Sequence, residues 1–133
     1  MVTRMEKIPD VRPTGAELEI LGVLWQRGPS TVRDVHTILS RTRRTGYTTV
    51  LKLMQIMAGK GLVRRNEDQR AHVYETRVPQ VQTQRQLVRD LLDRVFDGSA
   101  TSLVMQALSA RKASSEELAE IRRLLDEYER GAR

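Results

Sequence analysis

TGYTTVLKLMQIMAGKGLVRRNEDQRAHVYETR, residues Thr45 to Arg77, is the stretch that decides the fold. Its first half is helical in pattern: Val50, Leu53, Met54 and Met57 recur at i, i+3, i+4 and i+7 and share one face. Thr48, Lys52, Gln55 and Gly59 lie opposite at the same period. A helix whose outer side is short, polar and cationic has the shape and chemistry to lie in a DNA major groove. Gly59-Lys60-Gly61 ends it, and two strand-like runs follow, Leu62–Arg65 and Ala71–Thr76. Around a turn of Glu67, Asp68, Gln69 and Arg70 they predict an antiparallel hairpin, a wing beside the helix.

Upstream, an arm-like start runs to about Pro13, and Thr14 with Glu17 then forms a T-x-x-E capping box. Leu18, Leu21, Leu24 and Trp25 are the apolar stripe of a first helix. Gly28-Pro29 stops it, with Gly28 as a left-handed cap. A second helix opens at Ser30 or Thr31, with Thr31 and Asp34 as a capping pair, and buries Val32, Val35, Ile38 and Leu39. The polar turn Ser40–Gly46 delivers the chain to the third helix. The expected core is Leu18, Leu21, Trp25, Val35, Leu39, Val50, Leu53, Met57, Leu62 and Val73. The fold class is mainly α with a small β-hairpin wing: a winged helix-turn-helix over residues 1–78, then an all-helical dimerisation region over 79–133.

That second region reads as three helices. Val81, Val88, Leu91, Leu92, Val95 and Phe96 line a long one ended by Asp97-Gly98. Leu103, Val104, Ala107 and Leu108 mark a short one. Ser114 and Glu117 cap a third carrying Leu118, Ile121, Leu124, Leu125 and Tyr128. So few residues bury such stripes poorly alone. A second copy of the chain would cover them, with Leu91, Val95, Leu103, Val104, Leu108 and the five residues of the last helix as the interface. Packing back onto the first module is the alternative.

The net charge of +6 is unevenly placed: residues 1–78 hold 14 Lys/Arg against 8 Asp/Glu, and residues 79–133 hold 9 against 9. A basic first half favours a polyanionic partner and a neutral second half does not. Arg41, Arg43, Arg44, Lys60, Arg64, Arg65 and Arg70 are candidates for phosphate contact, with Arg70 placed to reach a minor groove. Base reading falls to Thr48, Thr49, Lys52 and Gln55. Thr48 has a rival role as helix N-cap, Thr49 as a stiffener of the first turn, and Tyr47 either stacks on the DNA backbone or packs at the helix entrance. A homodimer sets two such helices about 34–36 Å apart and calls for a palindromic site.

Other classes fit less well. The chain has no cysteine, two histidines and no nucleophile elbow, phosphate loop or HExxH motif, so no enzyme chemistry, metal site or cofactor is implied. With one Trp, one Phe and three Tyr it lacks a base-stacking platform for RNA. No apolar run reaches about 18 residues and the N-terminus lacks a secretory h-region, so a cytoplasmic location without membrane insertion is expected.

PTGAELEILGVLWQRGPSTVRDV, then YTTVLKLMQIMAGKGLV, then AHVYE resemble the BlaI/MecI penicillinase-repressor family, which includes copper-responsive members. SLVMQAL and SSEELAEIRRLLDEYE extend the resemblance over nearly the whole chain. It implies a winged-helix module, a helical dimer and repression of operator DNA. In the antibiotic-resistance branch it implies release by cleavage, triggered by a membrane metalloprotease sensor of β-lactams. Copper-responsive members carry a C-terminal cysteine cluster absent here, which argues against thiolate-bound copper. The family's Asn-Phe scissile pair is replaced by Gln106-Ala107, the matching candidate cleavage position. A repressor of unrelated genes, controlled by a ligand or partner protein without cleavage, is the alternative.

Overall fold

The computed structural model describes residues 12–68 and 70–131. In chain order the elements are α1 (Gly15–Arg27), β1 (Ser30–Thr31), α2 (Val32–Leu39), α3 (Tyr47–Lys60), β2 (Val63–Asn66), β3 (Val73–Thr76), α4 (Gln80–Arg94), α5 (Ala100–Ala110) and α6 (Ser115–Gly131). They form two compact units, one reaching Leu87 and one starting at Val88. Most of the arm read at the N-terminus, and Gln69 at the hairpin tip, lie outside the described residues. Pro13, read as the end of that arm, is buried.

In the N-terminal unit, the starts of α1 and α2 are set by side chains that satisfy the first free N–H groups. Thr14 Oγ1 accepts the Glu17 N–H at 3.2 Å while Glu17 Oε1 accepts the Thr14 N–H at 2.9 Å. Thr31 and Asp34 repeat this reciprocal box on α2, both bonds 3.1 Å. Such a cap stabilises by about 1 kcal/mol.

The ends of α1 and α3 are set by glycine. Gly61 takes the left-handed cap of α3, φ 84° and ψ 11°, and the Leu62 N–H returns to the Met57 carbonyl at 2.9 Å. Gly28 differs from expectation. It has φ 94° but ψ −168°, an extended conformation still open essentially to glycine alone. The following Pro29 clashes with helical ψ at the residue before it, so the chain leaves α1 extended.

The wing is larger than a hairpin. β2 and β3 pair antiparallel with Arg65 opposite Tyr74, and β1 adds to the other side of β3 with Ser30 opposite Tyr74. The result is a three-stranded sheet in the order β1-β3-β2. The strands start later than the sequence pattern suggests, at Val63 and Val73, although the Arg77 N–H still reaches the Leu62 carbonyl at 2.9 Å.

The core joins Ile20, Leu21 and Leu24 of α1, Val32 and Val35 of α2, Val50, Met54 and Met57 of α3, and Leu62, Val63, Tyr74 and Val78 around the sheet. Leu18, Trp25, Leu39 and Leu53, read as core, are half-buried at its margin. Val73 is also half-buried, and Tyr74 is the buried residue of β3. A strand alternates faces, so burying the larger ring turns its neighbour outward. Trp25 Nε1–H donates to the Val78 carbonyl at 2.9 Å, and Thr83 is buried with its hydroxyl on the Pro79 carbonyl. The first turns of α4 are thereby part of this unit.

In the C-terminal unit, α4 ends through Asp97 (φ 53°) and Gly98 (φ 79°). Ser99 Oγ caps α5 by accepting the Ser102 N–H at 3.0 Å, and Ser114 Oγ accepts the Glu117 N–H at the start of α6. Arg123 bridges Glu120 and Glu127 on the outer side of α6. No residue of α5 or α6 is buried. No helix among the described residues is long and apolar enough to cross a membrane.

Candidate nucleic-acid interface

α3 is two-faced. Val50, Met54 and Met57 are at most 1% exposed and anchor it to α1, α2 and the sheet. Tyr47, Thr48, Thr49, Lys52 and Gln55 are all exposed. The sequence period thus put the polar residues on the outer side because the apolar ones claim the inner. The N-cap is Gly46, with no side-chain cap hydrogen bond, so Thr48 lies inside the first turn and is not the cap.

The cations around α3 differ in how they are held. In the turn before it, Arg43 is gripped by both carboxylate oxygens of Glu19, at 2.8 and 2.9 Å. In the wing, Arg64 pairs with Glu75 across the ladder and Arg65 with Glu67. Lys60 is turned inward onto Glu17, its Nζ 2.8 and 3.0 Å from the two carboxylate oxygens. That bond ties the end of α3 to the start of α1 and takes Lys60 away from the outer surface. Among the described residues, Arg41, Arg44, Lys52 and Arg70 have no carboxylate at ion-pair distance.

Two carboxyls of the N-terminal unit are shifted. Burial opposes the charge on Glu17, yet the Lys60 ammonium and the Thr14 amide outweigh it and hold the carboxyl below its ordinary value. The Thr31 backbone N–H does the same for Asp34, helped by Arg27. Both keep their charge where it locks a helix start.

The start of α2, the outer edge of α3 and the wing enclose an open groove of about 440 Å³. Tyr47, Gln55 and Arg70 line it together with Arg33 and His72, over a floor that includes Val32 and Tyr74. Of the residues singled out from sequence, Tyr47, Gln55, Arg65 and Arg70 are therefore brought together. Thr48, Thr49, Lys52, Arg43 and Arg44 are not among the lining residues. Arg33 was missed. Its signal was its place two residues after the Thr31 cap, at the positive end of α2.

In the C-terminal unit the residues read as an interface are mostly open. Leu91, Val95, Val104, Leu108, Leu124, Leu125 and Tyr128 are exposed, Tyr128 at 76%, while Leu103, Leu118 and Ile121 are half-buried. Gln106 and Ala107 lie exposed in the middle of α5.

The sequence pattern of the penicillinase repressor family matches residues 13–127. The chain is 26% identical over 124 residues to the penicillinase repressor of Bacillus licheniformis, covering 93% of this chain and 95% of that one. It is 34% identical over 116 residues to the transcriptional regulator BlaI of Mycobacterium tuberculosis, covering 86% and 83% respectively. The solution structure of the DNA-binding domain of the repressor BlaI matches 57% of this chain and 90% of its own length, at 26% identity and a TM-score of 0.48.

Proposed function

Because this chain belongs to the penicillinase repressor family, we propose that it is a transcriptional repressor that binds operator DNA as a homodimer. The observation that carries this reading is the outer face of α3, where Thr48, Thr49, Lys52 and Gln55 stand exposed on a helix whose inner face is fully packed. A rigid helix with short polar side chains fits the major groove, where lysine favours guanine acceptors and glutamine pairs with adenine. Arg44 and Arg70 then contact the backbone on either side, with Tyr47 and Gln55 at the groove beside the wing. Arg43 joins them once phosphate competes for the guanidinium that Glu19 holds.

The second unit supplies the dimer. Leu91 of α4 and Val95 just after it, Val104, Met105 and Leu108 of α5, and Leu124, Leu125 and Tyr128 of α6 stand exposed, and apolar residues gathered on an open surface mark an interaction site. A second copy presents the same surface, and two-fold pairing matches like with like. Joining two half-site readers raises the effective concentration of the second, so loss of the dimer loses tight binding without touching a base. A palindromic operator follows from the two-fold axis. Release by cleavage between Gln106 and Ala107, driven by a membrane metalloprotease sensor, suits this design. The bond is exposed in α5, and cutting it detaches α6 from the rest of the interface.

The test is selection of duplexes from a randomised pool, followed by competition with duplex RNA and single strands. A two-fold symmetric duplex bound in preference to duplex RNA and to single strands is the expected result. Equal binding of every nucleic acid, or of none, removes the repressor reading.

A further inference from the structure

The first three helices do not begin alike. α1 and α2 each open with a full capping box, whereas α3 opens on Gly46 with no side-chain bond to its first turn. Glycine gives that junction the widest choice of backbone conformations in the unfolded chain and the weakest intrinsic hold on one of them. The junction is nevertheless gripped from outside. His36, half-buried in the last turn of α2, places Nε2 2.9 Å from the carbonyl oxygen of Thr45, the residue before the cap. Its ring also meets that of Tyr47, the first residue of α3, edge to face, with centroids 5.8 Å apart and planes at 82°. A carbonyl can only accept, so Nε2 carries a proton, as it does in the Nε2–H tautomer and in the imidazolium. One side chain thus holds the chain on both sides of Gly46.

We propose that His36 is a positioning residue for the reading helix, setting the direction in which α3 leaves Gly46 while keeping its first-turn N–H groups open toward DNA. This rests on the reading of the chain as a DNA-binding repressor. A serine or aspartate cap at position 46 would also fix the junction, but its oxygen would occupy the N–H groups that a backbone phosphate can use. Moving the grip to α2 separates the two tasks. The consequence is one of leverage. Lys52 and Gln55 lie about 7.5 and 12 Å beyond Tyr47 along the axis, so a tilt of about ten degrees at the entrance moves them by roughly 1–2 Å. Hydrogen bonds to base edges do not survive such a displacement.

The experiment compares the full-length wild type with His36→Ala and His36→Gln on two probes. One is a duplex selected by the wild type from a randomised pool, the other a shuffled duplex of the same length. Urea unfolding followed by Trp25 fluorescence runs alongside. His36→Ala is expected to lose roughly tenfold on the selected duplex, the scale of one weakened base contact, and to keep its affinity and salt slope on the shuffled one. His36→Gln, whose amide N–H can reach the same carbonyl, is expected to recover most of the ratio. If the wild type selects no duplex, the repressor reading fails and the inference with it. If the wild type selects one but His36→Ala keeps the full ratio, the positioning role is overturned while the repressor reading stands. The same holds if His36→Ala loses both probes alike in step with a lower unfolding midpoint.

Discussion

Lys60→Met tests whether the buried carboxylate of Glu17 depends on its cation. Glu17 is 2% exposed, and the Lys60 side chain 30%. Removing one partner of a fully buried ion pair costs about 3–5 kcal/mol, because the remaining charge is left without compensation. Two features lower that figure here. The ammonium lies near water, and Glu17 Oε1 keeps its bond from the Thr14 N–H at 2.9 Å. One raises it slightly: Lys60 is the last residue of α3, where a cation gains about 0.3–1 kcal/mol from the helix dipole. Methionine retains most of the aliphatic stem, so packing changes little. The expected loss at pH 7 is about 2–3 kcal/mol. Glu17→Gln costs less, about 1 kcal/mol, because the unpaired Lys60 can turn to solvent. The double variant is expected to lose less than the sum of the two.

Trp25 is the single tryptophan and lies in α1 with its Nε1–H on the Val78 carbonyl, so its fluorescence in urea follows this unit alone. Unfolding is read at one protein concentration, since the proposed dimer would also shift the midpoint. The pH dependence carries a sign. Glu17 is depressed below 4.5 in the folded state, so its stabilisation is complete above that value and is lost as pH falls through it toward the folded-state pKa. In Lys60→Met the ammonium no longer lowers the same carboxyl, so the variant has less stability to lose as Glu17 takes up its proton. The difference between the two proteins therefore shrinks between pH 7 and pH 4. Asp34 also has a lowered pKa, but it contributes equally to both and cancels. A loss below about 0.5 kcal/mol that does not change with pH would show that Glu17 needs no partner, and the account of this ion pair would be wrong.

Lys52→Ala is expected to cost about 1–3 kcal/mol on the selected duplex and to relax preference at one position of each half-site; equal losses on specific and random DNA would remove it from base reading. Arg70→Ala should instead weaken all duplexes alike and lower the salt slope by about one for each phosphate the side chain no longer reaches, seen in titrations at several salt concentrations. A chain ending at Leu87, which keeps the buried Thr83, should sediment as a folded monomer with much weaker operator affinity; a dimer of that length would refute the division of labour. During induction in the native cell, mass spectrometry should find chains cut between Gln106 and Ala107, and full derepression with every copy intact would reject cleavage as the signal.

What the sequence disclosed, and what it withheld, divides by range. Thr14 with Glu17, Thr31 with Asp34, and the 3.6-residue stripe of Val50, Met54 and Met57 are local patterns, and each is realised within a few residues of its signal. β1 has only two residues, too few for any period, and exists because Ser30 and Thr31 meet Tyr74 and Val73 far along the chain. By residue type Tyr74 is amphipathic and Val73 apolar, which points to the wrong one of the two as core. The ladder decides otherwise: Tyr74 sits opposite both Ser30 and Arg65 in the middle of the three strands and joins the core. The partners of Glu17 and Glu19 lie 43 and 24 residues away and leave no trace in spacing. His36 reads in sequence as a surface or half-buried histidine, since nothing in its neighbours reveals the Thr45 carbonyl.

Those long-range pairs alter the electrostatic argument that the composition began. The first half of the chain carries its excess of positive charge on paper, yet Lys60 faces inward and Arg43, Arg64 and Arg65 are each met by a carboxylate. A surface that neutralises much of its own charge attracts DNA less indiscriminately than its cation count implies. Paired arginines also reach phosphate only by exchanging one anion for another, which keeps non-specific binding weak and reversible. Of the first-half cations without such partners among the described residues, Arg41, Arg44, Lys52 and Arg70 lie in the turn before α3, on its outer face and in the wing, Arg33 lines the groove beside them, and Arg77 follows β3. On the proposed function, discrimination falls to α3, a helix held by Val50, Met54 and Met57 beneath, Glu17 at one end and His36 at the other. A repressor gains from that arrangement, because its selectivity is a ratio, and lowering the non-specific affinity raises the ratio as surely as adding a base contact does.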